Sequence, residues 1–343
     1  MTAYKPYSLW SHRQTLPQRG LYNPRMALDP VLSRAQGCLL GQCCGDALGS
    51  AAEFQEVDDV RRKQPEWPRA IVPSYSFRPT IGGPTVAGQP TDDSEMALAL
   101  ARSLIARGTF DLIAVRAAYL AWMESVPLDF GFTVHNGLMG KYDPASEANG
   151  ALMRVSPLGI FGARHDPLDV AHWAHEDAAI THIKPICGDA SALFAVAIAE
   201  AIRDGLAPRE VHARMVARAK ESGADKSLLF AITQAAVEPP RDFTTNMGHV
   251  VIALQNALFR LLYAESPEQG MIESVLQGGD TDTNAAICGA LMGAVHGRDG
   301  IPQHWQDTIL NCRLEEEPAV FKPRPRQYWP TDVLELAGRL VGV

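Results

Sequence analysis

Residues 32–54 read LSRAQGCLLGQCCGDALGSAAEF, and Gly37, Gly41, Gly45 and Gly49 recur along them every four residues. On a helix that spacing lays a stripe without side chains along one face. Each glycine inside a helix costs about 1 kcal/mol relative to alanine. Four of them need compensation from another backbone or a ligand pressed close, and close helix packing is the expected answer. Asp46, Glu53 and the short apolar length exclude a membrane GxxxG dimer. The stretch therefore predicts a packed helix beginning at Val31.

Outward from it, helical patterns are expected at 94–107, 111–125, 168–180, 188–204, 208–222, 226–236, 247–264, 270–277, 283–296 and 331–341. Many are rich in alanine and leucine, as in SALFAVAIAEAI. Val/Ile alternation is scarce, and strands do not alternate with helices. Gly- and Pro-rich loops are expected at 73–90 and 126–157. No fixed-period repeat and no linker divides the body, so an all-α single domain is expected over 31–343. Residues 1–30 differ. They carry Lys5, Arg13, Arg19 and Arg25 against Asp29, four prolines, and Tyr4, Tyr7, Trp10 and Tyr22, without apolar periodicity. They read as an extended N-terminal arm.

The chain has 343 residues, 46% of them hydrophobic, and a formal net charge of −8, which argues against a general nucleic-acid binder. No apolar run approaches the roughly 20 residues of a membrane span, and the N-terminus lacks a signal peptide's apolar core. Cys38, Cys43, Cys44, Cys187, Cys288 and Cys312 form no CxxC pair and read as buried reduced thiols. A cytoplasmic location is expected. His165, His172 and His175 read as surface residues around a helix.

Two stretches carry the chemistry, GQPTDDSEMALALARSL at 88–104 and GGDTDTNAAICGALMGAVHG at 278–297. Each runs from a loop through hydroxyl and acid residues into an apolar helix. Capping explains TDDSE in part, since Asp, Ser and Thr are favoured N-caps. It explains GGDTDTN less well, because one cap needs only one side chain. The apolar helices that follow point both starts into the protein body. Four carboxylates gathered there would repel one another unless a cation neutralised them. Carboxylate and hydroxyl oxygens without His or Cys suit Mg²⁺ or Mn²⁺ rather than Zn²⁺. Two ions would balance four acids. The spacing leaves open whether the two stretches meet.

GDALGSAAEF at 45–54, PTDDSEMAL at 90–98, DFGFT at 129–133, NGALMRVSPLG at 149–159, TH at 181–182 and GGDTDTNAA at 278–286 together resemble the ADP-ribosylglycohydrolase family. The resemblance spans about 30–340 in family order, and GGDTDTNA is its most specific element. It implies an all-α fold with two Mg²⁺ or Mn²⁺ ions at the bottom of a cleft. Carried over, Thr91, Asp92, Asp93, Asp280, Asp282 and Thr283 match the metal ligands, with Ser94 where the family often has threonine. Glu53 matches an acid at the cleft mouth, Asp129 an acid near the ribose, and Asn149, Gly150 and His182 cleft-lining positions.

The implied reaction is hydrolysis of the N-glycosidic bond of ADP-ribosylated protein side chains, foremost ADP-ribosyl-arginine. Glu53, Asp93 or Asp282 would take the proton from water. Other readings are a serine-linked or free ADP-ribose-derivative hydrolase, a non-catalytic relative, and a phosphatase with Asp280 as nucleophile. That last needs an alternating α/β chain, which is missing. Immunity proteins in the family suggest that the arm at 1–30 binds an ADP-ribosyltransferase toxin. No nucleic-acid or membrane partner is expected.

Overall fold

The computed structural model describes residues 29–62, 68–76 and 82–343. Of the arm expected at 1–30, all but Asp29 and Pro30 lies outside these residues. Asp29 caps the first helix, its carboxylate accepting from Val31 N at 2.8 Å and Leu32 N at 3.2 Å. Pro30 fits the first helical position, where its missing N–H costs nothing, so the helix starts one residue before the expected Val31.

Among the described residues the α-helices are α1 Pro30–Gly49, α2 Val57–Arg62, α3 Asp92–Arg107, α4 Leu112–Glu124 and α5 Phe132–Leu138. They continue with α6 Ser156–Gly162, α7 Pro167–Ala179, α8 Pro185–Asp204, α9 Pro208–Glu221 and α10 Lys226–Gln234. The last are α11 Val250–Tyr263, α12 Pro267–Val275, α13 Thr281–His296, α14 Gln303–Leu310 and α15 Val333–Val341. A two-stranded antiparallel ladder, β1 Tyr75–Ser76 on β2 Gly83–Pro84, lies inside the stretch expected to be loop. The all-α expectation holds.

The glycine stripe meets α13, backbone to backbone. A Cβ on Gly37, Gly41, Gly45 or Gly49 would lie 2.5, 2.3, 2.0 or 2.4 Å from the carbonyl oxygens of Gly293, Gly289, Ala285 and Thr281. The reverse holds too: a Cβ on Gly289 or Gly293 would lie 2.1 or 2.0 Å from the oxygens of Gly41 and Gly37. The contacts run in opposite order along the two helices, so they are antiparallel. The end of α1 is thereby fixed against the start of α13, where Thr281 Oγ1 donates to Gly49 O at 2.7 Å.

Three expectations need correction. The 126–157 loop contains α5 and the start of α6, and α2 and α14 were not foreseen. The short α6 is buried throughout and shows no amphipathic period from which to read it. Helix α8 is, by length and composition, apolar enough to cross a membrane, although no such run was expected. It is a core helix instead: 89% of its apolar window is buried in the protein. Finally, His165 is half-buried, its ring 4.6 Å from that of Phe161 and 5.1 Å from that of Trp173, while His172 and His175 are exposed as expected. All six cysteines are buried and unpaired, and burial pushes the Cys43 thiol up to about 12.

Candidate active site

The two acid-bearing helix starts meet. Thr283 Oγ1, in the first turn of α13, donates to Asp93 Oδ2 of α3 at 3.3 Å. Carboxylate oxygens of Glu53, Asp280 and Asp282, all buried, lie within 4.8 Å of one another. Glu53 was expected at the cleft mouth, but it is only 7% exposed and belongs to this cluster. It follows the short 3-10 turn Ser50–Ala52 that continues α1, so the seam between α1 and α13 delivers it.

Backbone geometry aims Asp280 inward. Gly278 and Gly279 both adopt left-handed conformations, with φ of +70° and +71°. A Cβ on Gly279 would lie 2.0 Å from Phe243 O, so only glycine passes there without a shift. Gly279 also exchanges backbone bonds with the opposite wall, Phe54 N to Gly279 O at 2.7 Å and Gly279 N to Gln55 O at 2.9 Å. They hold Phe54 at φ +59°, a strained conformation for a non-glycine residue, with its ring half-exposed over the cleft.

Asp280 occupies the N-cap position of α13 but makes no capping bond. Its Oδ2 accepts from Asn149 Nδ2 at 2.7 Å, and its buried Oδ1 has no hydrogen-bonding partner among the described residues. Thr91 by contrast does cap α3, accepting from Asp93 N at 3.4 Å. Asp92 Oδ2 accepts from Gly131 N at 3.0 Å, and Asp282 Oδ1 from Thr283 N at 2.9 Å.

Asp46 was missed as a site residue. Fully buried on α1, it accepts from Thr91 Oγ1 at 2.9 Å, Thr91 N at 3.1 Å and Ser94 N at 3.2 Å. Burial pushes its carboxyl up to about 7 and Asp92 adds to the rise, while bonds from Ser94 and Thr91 oppose it. An acid among LLGQCCGDALG was the available signal. It served only to exclude a membrane helix. A second missed acid is Glu95, which pairs with Arg324 at 2.7 and 2.8 Å and accepts from Trp122 Nε1 at 2.7 Å. Arg324 also donates to Ser125 O and Val126 O, tying down the approach to Asp129.

The open cleft is lined by Asn149, Gly150 and His182 together with Asp92, Asp280, Thr283, Phe54 and Phe132. Asp129, expected near the ribose, is 2% exposed and lines a smaller adjoining cavity with Glu53, Thr91, Asp92 and Glu95. Asp92 borders both spaces. Buried carboxylates and hydroxyls, one Asp280 oxygen without a hydrogen-bonding partner among the described residues, and no nitrogen or sulfur in the trio fit a hard divalent cation.

The all-helical body thus gathers acids from two helix starts beneath an open cleft. The chain belongs to the ADP-ribosylglycohydrolase family, whose model matches residues 27–342. It is 30% identical over 306 residues to the ADP-ribosyl-[dinitrogen reductase] glycohydrolase of Rhodospirillum rubrum, covering 84% of this chain and 93% of that one. It is 28% identical to the ADP-ribosylarginine hydrolase Tri1 of Pseudomonas putida (90% and 80% covered) and 27% identical to human ADP-ribosylhydrolase ARH3 (83% and 91%). A solved ADP-ribosylglycohydrolase-related protein complex superposes with a TM-score of 0.72 at 27% identity, covering 92% of this chain and 99% of that one. The protein is therefore an enzyme, a hydrolase of this family.

Proposed function

We propose that the chain hydrolyses the N-glycosidic bond of ADP-ribosyl-arginine in modified proteins, with two divalent cations, Mg²⁺ or Mn²⁺, as cofactors. The observation that carries this is the meeting of the two acid-bearing helix starts through Thr283 and Asp93. The named activity of the Pseudomonas relative favours arginine.

Thr91, Asp92, Asp93, Asp280, Asp282 and Thr283 would hold the cations, and Asp46 holds Thr91 in place for that task. Bound divalent cations supply positive charge that orients ribose hydroxyls and makes water easier to deprotonate. Breaking the C–N bond builds positive charge on the ribose. Glu53, Asp93 or Asp282 takes the proton from the attacking water, and Glu53 is favoured because it borders the smaller cavity. Asn149 and His182 contact the bound ligand from the cleft wall, and Asp129 acts from the smaller cavity.

The test is to incubate the purified chain with ADP-ribosylated arginine and serine peptides, with Mg²⁺, with Mn²⁺ and with chelator. Cleavage of the arginine peptide, abolished by chelator, is expected. Serine-only cleavage, or full activity in chelator, would overturn the reading. The six buried thiols favour a reducing, cytoplasmic setting. The arm at 1–30 remains proposed, from composition, to bind an ADP-ribosyltransferase. A chain starting at Asp29, which keeps the α1 cap, should hydrolyse at the full-length rate yet no longer inhibit the transferase.

A further inference from the structure

We propose that Arg154 and Thr181 are positioning residues that fix the tautomer of His182, so that Nε2 carries the proton and donates it as a hydrogen bond to the ligand in the cleft. The proposal rests on the reading of the cleft given above and adds to it how one wall is set.

Arg154 is fully buried. Its Nε donates to Asp177 Oδ2 at 3.1 Å and its Nη2 to Asp177 O at 2.7 Å. Its guanidinium carbon lies 4.4 Å from the centre of the Tyr119 ring, and Tyr119 OH donates to Asp177 Oδ1 at 2.7 Å. The remaining arm, Nη1, donates to Thr181 Oγ1 at 3.0 Å. Guanidinium nitrogens only donate, so Thr181 Oγ1 is the acceptor in that bond. His182 Nδ1 lies 2.7 Å from the same oxygen. Given the lone pair that Arg154 uses, the hydroxyl hydrogen of Thr181 is free to point at Nδ1. Were Nδ1 protonated instead, that buried hydroxyl hydrogen would lose this acceptor, at the cost of an unmade hydrogen bond.

The arrangement makes Nδ1 the acceptor and leaves the proton on Nε2. Charge argues the same way, because a proton on Nδ1 would sit nearer the Arg154 cation. Burial, with Arg154 adding to it, pushes His182 down to about 3, so the ring stays neutral. His182 is 2% exposed, lines the cleft, and its Nε2 has no hydrogen-bonding partner among the described residues. Packing holds the geometry on both sides. A Cβ on Gly137 would lie 2.5 Å from Thr181 Cα, and one on Gly150 would lie 3.2 Å from His182 Nε2. Glycine at 150 therefore keeps the donor open to a ligand.

Imidazole ¹⁵N–¹H correlation spectra of the full-length protein test this without reference to turnover. His182 is assigned by the signal lost in His182→Gln. A pyridine-like Nδ1 and a protonated Nε2, unchanged between about pH 5.5 and 8, are expected. Adding ADP-ribose should shift the Nε2 proton. Thr181→Val should mix the tautomers and lower turnover on the order of tenfold with a smaller effect on KM, while Thr181→Ser should restore both. A protonated Nδ1 in the wild type, an Nε2 proton indifferent to ADP-ribose, or an unchanged spectrum in Thr181→Val would overturn the proposal. Should Thr181→Val not fold, the wild-type and Thr181→Ser spectra decide alone. Failure on arginine substrates with the expected spectra would count against the proposed substrate and leave this inference standing.

Discussion

At the start of α3, Thr91 caps the helix and is itself gripped by the buried Asp46. At the start of α13 the cap position belongs to Asp280, which makes no capping bond and keeps one buried oxygen without a hydrogen-bonding partner among the described residues. The chain enters α3 through the Pro90–Thr91 step, whereas it enters α13 through two left-handed glycines pinned between Gln55 and Phe243. Similar-looking acid–hydroxyl strings thus serve two ends. The first is a braced helix terminus that also offers ligands. The second gives up its cap so that its acids face a common point.

Neutralising the acids should give the largest effect. Asp280→Asn and Asp92→Asn are each expected to lower hydrolysis on the order of 10²–10³-fold, measured at saturating Mg²⁺ and Mn²⁺. In chelator, Asp280→Asn should melt no lower than the wild type, since it removes one of three clustered acids and keeps an acceptor for Asn149. A loss of more than about 1 kcal/mol in that calorimetric comparison would mean that Asp280 is a structural acid after all.

The glycines come next. Gly279→Ala is expected to destabilise by at least about 2 kcal/mol, from the left-handed backbone and the clash with Phe243 O. Gly131→Ala, beside the start of α3, should be near neutral, because its Cβ would meet nothing closer than Val134 at 3.9 Å. Urea unfolding of both variants reads the difference, and equal losses would dissolve the contrast between the two helix starts. The smallest effect concerns the cap: Thr91→Val should cost about 1 kcal/mol and Thr91→Ser should recover it.

How much of this was readable follows from what leaves a local mark. The glycine stripe announced a close neighbour, either a backbone or a ligand, with helix packing the expected one. Its partner, α13, carries Gly289 and Gly293 at the same spacing, yet nothing in the sequence pairs the two over so long a separation. TDDSE and GGDTDTN were legible as acid-bearing helix starts, and the structure joins them. Asp46 was visible as an acid in an apolar helix, but its role depends on Thr91 and Ser94 arriving from elsewhere. Glu53 sits deeper than expected because the α1–α13 seam carries it down. Arg154, Thr181 and Glu95 act only through partners distant in the chain, so no spacing rule reveals them. Helix α6 was missed because an element buried on every side shows no periodicity.

The seam between α1 and α13 also limits how this protein can be altered. In an ordinary core, a side chain that becomes too large can be answered by trimming its neighbour. Here the neighbour is a carbonyl oxygen, and no substitution makes a carbonyl smaller. A bulkier residue at Gly41 or Gly45 has no second-site suppressor on the facing helix. Relief can come only by sliding or lifting one helix from the other, and that motion would carry Glu53 away from Asp280 and Asp282. Attempts to recover function after such a change by selecting compensating mutations should therefore return reversion to glycine, with repacked neighbours absent from the survivors.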